Sequence, residues 1–357
     1  MDRSQGFAPP VTVDGKRPAR RVRESTPEHF RTLGPPDVPP QPIVAGWSYQ
    51  WIAQLSFIPD SWTAPVDARR IPPTENATEA TIDQVRVLIG LLPTDAEVPM
   101  FVFGAGYDPA AISHGLSTDR VQTLVRIRGD RVFYADPPAR TARDKGRPRR
   151  HGRRLRCSDG RTQRSPDATL VAQDTRYGTV KVAAWHDRHP RLAKRGALAD
   201  EAAAPIVKGS VIRVEAEHLP KATARAKKTL WLRWSGPGTP DLDLCWRAYL
   251  RRFNLEHTYR FVKNTMGWTA PSLRTPEQAD CWTWLIVAAY TQLRLARGLV
   301  EDMRLPWERR RAPDRLTPTR VGRAFSRLDA LIGTPASPPK SDVTVQVPPA
   351  ARGIIQG

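Results

Sequence analysis

The sequence predicts an α/β fold, a mixed sheet with flanking helices interrupted by a β-rich insertion. Three sets of stretches carry that prediction. Residues 98–103, VPMFVF, form a continuous apolar run of strand length, as expected of a central strand covered on both faces. Four short β-type runs, at 169–172, 179–186, 211–217 and 229–234, are separated by turn residues and read as antiparallel strands. Two long segments, near 241–267 and 276–297, carry helical periodicity.

Taken in order, residues 1–40 promise little packed structure. Prolines cluster at 9–10, 35–36 and 39–40 around the charge run KRPARRVRE, and only VTVDG at 11–15 has strand character. Residues 41–127 read as the first part of a core. Trp47, Tyr49 and Trp51 alternate with period two, which points to a strand whose aromatics enter the interior. Residues 59–76 read as a loop punctuated by prolines. Asn76 or Thr78 is placed to cap a helix running to about Leu92, with Ile82, Val85, Leu88, Ile89 and Leu92 on one face. The apolar strand follows, then Asp108 and a short helix over 109–116, then a further strand over 121–127.

Residues 128–240 form the insertion. Its first part, 140–156, holds nine Lys or Arg residues against the single acid Asp144 and reads as a mobile basic loop. Arg147, Arg149, Arg150, Arg153 and Arg154 are its candidate contacts to a phosphate backbone. Residues 241–300 return to the core. Gly267 is expected to close the first helix in the left-handed conformation, and Thr275 to cap the second. The inner face of the second helix reads as Trp282, Leu285, Ile286, Ala289, Leu293 and Ala296. Residues 301–357 are Pro-rich, with one more helix near 321–332 and little order over the last 25 residues.

Composition narrows the partners. Lys plus Arg number 56 against 36 Asp plus Glu, a net charge of +20 that favours a polyanion. No amphipathic anchor or long apolar run points to a membrane. Three widely spaced cysteines suit a reducing cytoplasm and offer no CxxC pair. The histidines lack zinc-site spacing, and no phosphate-loop, dinucleotide or nucleophile-elbow fingerprint is present.

The chemistry-bearing stretch is YLRRFNLEHTYRFVK, residues 249–263. Tyr249, Arg252, Glu256 and Lys263 are spaced by three, four and seven, which gathers them on one stripe of a continuous helix. A carboxylate among cations and a phenol suits phosphodiester chemistry, the acid for a divalent metal and the others for phosphate oxygens. The same spacing also fits a solvated face of ion pairs.

That Y-x2-R-x3-E-x6-K pattern, with the following GWTAPSLRTPEQADCWTWLIVAAYTQLRLAR and the earlier PIVAGWSYQWIAQL, resembles bacterial insertion-sequence transposases of the DDE type with the Y-R-E-K signature, the insertion-sequence 4-like class. The likeness runs from about Gln41 to Arg297. It implies an RNase H-like core whose three carboxylates hold two Mg2+ ions, with double-stranded DNA as partner and a homodimer on DNA. Glu256 is then the last acid of the triad and a metal ligand, with Arg252, Lys263 and Tyr249 gripping the strand. Asp14 falls near the first acid's place and is the other candidate metal ligand. The second acid of that family ends the apolar strand, but here the phrase is FGAGYD and the position is Gly104. Asp108, four residues on, is the remaining candidate catalytic acid. The resemblance therefore implies a transposase impaired by Gly104. The alternative is a DNA-binding remnant without catalysis, and a more distant one is an RNase H-like nuclease acting on RNA-containing substrates.

Overall fold

The computed structural model describes residues 11–16, 47–58, 60–141, 145–192, 204–219 and 229–332. The low order expected of residues 17–40 and of the last 25 residues lies outside that set. The chain divides into two units, Met1–Arg294 and Leu295–Gly357.

The first unit is built on a nine-stranded sheet whose strands lie in the order Thr63–Ile71 (β3), Ser48–Leu55 (β2), Val11–Lys16 (β1), Met100–Phe103 (β4), Gln122–Ile127 (β5), Thr229–Ser235 (β11), Gly209–Ala216 (β10), Gly178–Arg188 (β9) and Ala168–Asp174 (β8). Its centre is three parallel strands: β1 (Val11–Lys16), β4 (Met100–Phe103) and β5 (Gln122–Ile127). The VPMFVF run forms β4 because both its faces are covered. Phe101 and Phe103 pack with Val125 beneath Ile82, Val85 and Ile112 of helices α1 (Ala77–Gly90) and α2 (Pro109–Gly115). Met100 and Val102 pack with Leu124 on the opposite face, against Cys245, Trp246 and Ala248 of α3 (Leu242–Arg251). Alternation is useless where both faces are apolar, so a continuous run is the correct signature.

β2 (Ser48–Leu55) pairs antiparallel with β1 and buries Tyr49, Trp51, Ile52 and Leu55. The stretch expected to be a loop at 59–76 instead contains β3 (Thr63–Ile71). Pro65 within it cannot donate to a ladder. Two features accommodate that residue: β3 is the sheet's outermost strand, and its register against β2 shifts at Ile52 and Ala53, opposite Asp67 and Pro65. α1 starts as expected, with the Asn76 side chain accepting from the Thr78 amide at 2.8 Å.

The insertion does not form a separate layer. Strands β8 (Ala168–Asp174), β9 (Gly178–Arg188), β10 (Gly209–Ala216) and β11 (Thr229–Ser235) are antiparallel and extend the same sheet, because β11 pairs with β5. Among the described residues, only β6 (Val132–Tyr134) and β7 (Arg154–Arg156) stand apart, as a two-stranded ribbon. Phe133, Leu155 and Cys157 from the ribbon region pack with Trp185, Val211 and Trp231 of the main sheet. Burial there pushes the Cys157 thiol up to about 12.

The continuous signature helix predicted from the spacing is two helices. α3 ends at Arg251 and α4 (Phe253–Asn264) begins two residues later. Arg252 keeps helical torsions (φ −50, ψ −29), but the Leu255 amide bonds the Arg252 carbonyl, a three-residue step at 3.0 Å. No proline or glycine marks the junction, so the sequence gives no warning of it. Beyond α4, Gly267 at φ +74 turns the chain back, and the Trp268 amide donates to the Val262 carbonyl at 2.9 Å.

α5 (Pro276–Ala296) buries Ala279, Ile286, Val287, Tyr290 and Leu293. Leu285, expected inside, is 56% exposed. The face is rotated because it must carry Asp280 to β2 and β3. Tyr49 Oη donates to Asp280 Oδ1 at 2.6 Å and Arg70 Nε donates to the same oxygen at 3.0 Å. In the second unit, α6 (Pro318–Ile332) is tied to the preceding segment by paired charges. Arg320 contacts Asp302 at 2.8 Å, and Arg323 holds both Glu308 oxygens at 2.8 Å.

Candidate nucleic-acid site

The carboxyl ends of the parallel strands bring the sequence's candidates together in part. Val13 of β1 is in parallel register with Phe103 of β4. The backbone of Asp14 therefore stands beside that of Gly104, where β4 and its pairing with β1 end. This is the edge at which open α/β sheets place their ligands.

Gly104 is buried and its φ is not positive, so its backbone would accept a side chain. A Cβ there would meet the Arg252 guanidinium, with Cζ and Nη1 each at 3.6 Å. A cation thus lies in the direction in which the resembled family carries its second acid. Arg252 reaches this point from the α3–α4 junction, and its Cζ also lies 5.9 Å from the Tyr249 ring centroid. Arg126 of β5 approaches the same ring, with Cζ at 5.7 Å, and donates from Nη1 to Tyr249 Oη at 3.3 Å. Tyr249 is only 8% exposed. Gly104, Arg252, Tyr249 and Arg126 therefore form one cluster. Arg126 was not among the sequence candidates, since only the β5–α3 packing relates it to residue 249.

The one-residue interruption at Arg252 divides the signature between α3 and α4. Glu256 and Lys263 share a face of α4 by their seven-residue spacing, and Glu256 is part-exposed in the first turn. Lys263 lies roughly 16 Å along the helix from Arg252, by the 1.5 Å rise per residue. Its Nζ stands 5.7 Å from the Trp268 ring, which belongs to an aromatic group with Tyr49, Trp51 and Tyr259.

Asp108 is the N-cap of α2. Its Oδ1 accepts from the Ala110 amide at 2.8 Å and the Ala111 amide at 3.2 Å. Arg147, Arg149, Arg150, Arg153 and Arg154 are all exposed. The loop expected to be mobile is tied at its return. The Gly152 amide donates to the Ala135 carbonyl at 2.9 Å, and His151 Nδ1 lies 3.0 Å from His189 Nε2.

Among the described residues, the side chains at this strand end do not fit a metal pair. Among the described residues no group of three or more His, Cys, Asp or Glu side chains is placed to hold a metal ion. Position 104 offers no donor and faces a guanidinium instead.

The profile of the DDE superfamily endonuclease family matches residues 11–191, just over half of the 357-residue chain. The chain belongs to the DDE superfamily endonucleases. Enzymes of this superfamily generally use divalent metal ions. The match begins at the first residue of β1 and runs through β4 and β5, the strands that frame the site. Among solved structures, the chain is similar to a piggyBac transposase synaptic complex with hairpin DNA, determined by cryo-EM. The identity is 8% and the TM-score 0.38, and the similarity covers 92% of this chain and 55% of that one. This DDE-superfamily chain thus spans about half the length of that transposase. No curated protein matches it. No helix among its described residues is long and apolar enough to cross a membrane.

Proposed function

We propose that this protein is a transposase of the Y-R-E-K lineage that binds double-stranded DNA but has lost metal-dependent strand cleavage. One observation carries the second half of that reading. Arg252 Cζ and Nη1 lie 3.6 Å from the Cβ position of Gly104, the strand end beside Asp14. Strand cleavage of the two-metal kind needs carboxylates gathered there to concentrate positive charge on metal ions. A guanidinium in that place supplies positive charge without ionising a water. It is suited to holding a phosphate oxygen in the ground state.

The net charge of +20 and the exposed arginines of the basic loop support a DNA backbone as partner. Tyr249, Arg252, Glu256 and Lys263 support the transposase lineage through their spacing. Under this reading Arg252 and Arg126 bind phosphate, and Tyr249 positions both guanidiniums. Asp14 and Glu256 are the residual acids of the triad, and Asp108 serves α2 as its cap. A homodimer on DNA and a bacterial cytoplasmic setting belong to the same proposal.

The test is duplex binding and plasmid nicking by the full chain, with Mg2+ or with EDTA. Binding in both conditions with no nicking is expected. Robust nicking by the wild type that Glu256→Gln abolishes would sink the claim of lost cleavage.

A further inference from the structure

A cleft of about 450 Å3 opens beside the candidate site, and no part of the reading above uses it. It begins where β4 and β5 end, since Asp108 follows Gly104 by four residues and Arg128 follows Arg126 by two. Its charged lining is three arginines, Arg128, Arg131 and Arg191, against Asp108 and Asp130. All three arginines are exposed. Three guanidiniums against two carboxylates leave one net positive charge, which matches one phosphodiester. Asp108 already directs its Oδ1 to two backbone amides at 2.8 and 3.2 Å.

Behind the wall lies Arg233, 0% exposed, whose Nη1 donates to the carbonyl of the lining residue Pro109 at 3.2 Å. Burial lowers its affinity for the proton to a pKa of about 10, which leaves it charged near neutrality. The cleft therefore has a fixed cation beneath it as well as three at its mouth. Its remaining surface includes Val132, Pro190 and Leu192, part-buried apolar groups that suit the flat face of a base. The Tyr134 amide donates to the His189 carbonyl at 2.8 Å, so the 190–192 wall is joined to β6. The basic loop returns through His151 against the same His189. Cleft and basic loop are thus two parts of one basic surface.

We infer that this cleft seats one nucleotide of a DNA strand passing the carboxyl edge of the sheet. Arg128, Arg131 and Arg191 hold its phosphate, and Val132, Pro190 and Leu192 receive its base. The volume lies within the range of small-ligand clefts, about 300–1,000 Å3. The inference rests on the DNA-binding reading and assigns a place to the strand.

The test uses the full chain and a fluorescent single-stranded oligodeoxythymidylate, with anisotropy measured across a salt series. Three proteins are compared with the wild type. One carries Arg128→Gln, Arg131→Gln and Arg191→Gln, and a second carries lysine at the same positions. The third carries glutamine at the five basic-loop arginines 147, 149, 150, 153 and 154. Loss of the one phosphate contact they share should flatten the log–log salt slope by about 0.7, the value for one neutralised phosphate on a single strand. The lysine variant should restore most of the slope, a recovery that a folding defect would not give. An abasic oligonucleotide should bind the wild type more weakly than oligodeoxythymidylate does. An unchanged slope in the glutamine cleft variant, with binding lost in the loop variant, overturns the cleft and leaves the DNA reading standing. Absence of binding to any strand or duplex by the wild type overturns both.

Discussion

Gly104→Asp is the substitution that interrogates the site most directly. The Cβ would sit 3.6 Å from Arg252 Cζ and Nη1, ordinary van der Waals contact, and the backbone φ is not in the positive region. The change therefore carries no inherent clash or torsional strain. One bond farther out, the carboxylate lies within reach of the guanidinium. An acid paired with an arginine at such range is lowered by about 1–3 pH units. Each unit corresponds to about 1.4 kcal/mol of linkage between ionisation and folding. The folded pKa of the introduced acid is depressed. Its contribution is present above the unfolded value near 3.9 and disappears as pH falls through the folded value. Relative to Gly104→Asn, the aspartate variant should be about 1–2.5 kcal/mol more stable at pH 7 than at pH 2. Urea denaturation of both variants at the two pH values measures this. Gly104→Ala sets the steric baseline and should be neutral or stabilising by about 0.4–1 kcal/mol through the unfolded chain. An alanine variant destabilised by several kcal/mol would refute the open space beside Arg252. An aspartate variant with no pH-dependent gain would refute the guanidinium's placement.

Three further outcomes are expected. Ile286→Ala should cost about 2–5 kcal/mol and Leu285→Ala no more than about 0.5 kcal/mol, because the first side chain is buried and the second exposed. Chemical denaturation decides between this face of α5 and the one read from periodicity. Asp280→Ala should cost about 1.5–3 kcal/mol, since it removes a charged partner from both Tyr49 and Arg70. The measurement is the denaturation midpoint at constant slope. Glu308 is held down to about 2, first by the Arg323 guanidinium and then by the Leu305 amide. Its stabilising contribution is complete above about 4.5 and is lost as pH falls toward 2. Hydrogen exchange in α6 of the full chain should accelerate over that interval in the wild type, and Glu308→Gln should remove the pH dependence.

Much of the fold is written locally. The apolar run of β4, the Asn76 cap, Gly267 and the spaced β-type runs each act through neighbours in sequence, so residue type and period suffice to find them. β3 escaped because Pro65 and the charged residues around it disguise an edge strand, where only one ladder needs donors. The junction at Arg252 escaped because it lacks a breaking residue. The rotated face of α5 escaped because Asp280 must meet Tyr49, a partner 231 positions away. At the site, the position of Gly104 was readable from the strand end. Its guanidinium neighbour was not, because that depends on how α3 lies across the sheet. Arg128, Arg131 and Arg191 look like scattered surface charges in the sequence, two of them beside Asp130. Only the approach of residues 190–192 to the end of β5 makes them one group.

The pairing of β5 with β11 sets an order on how the protein can be made. During synthesis the Ile127 end of β5 leaves the ribosome about a hundred residues before its partner Trp231. At about 5–20 residues per second, that strand waits several seconds or longer with one row of amides and carbonyls unmatched. An exposed central edge of apolar character invites pairing with a neighbouring nascent chain. Shortened forms that stop before Thr229 should therefore clump where the full-length chain stays dispersed, and slower translation through the insertion should lower the yield of dispersed protein.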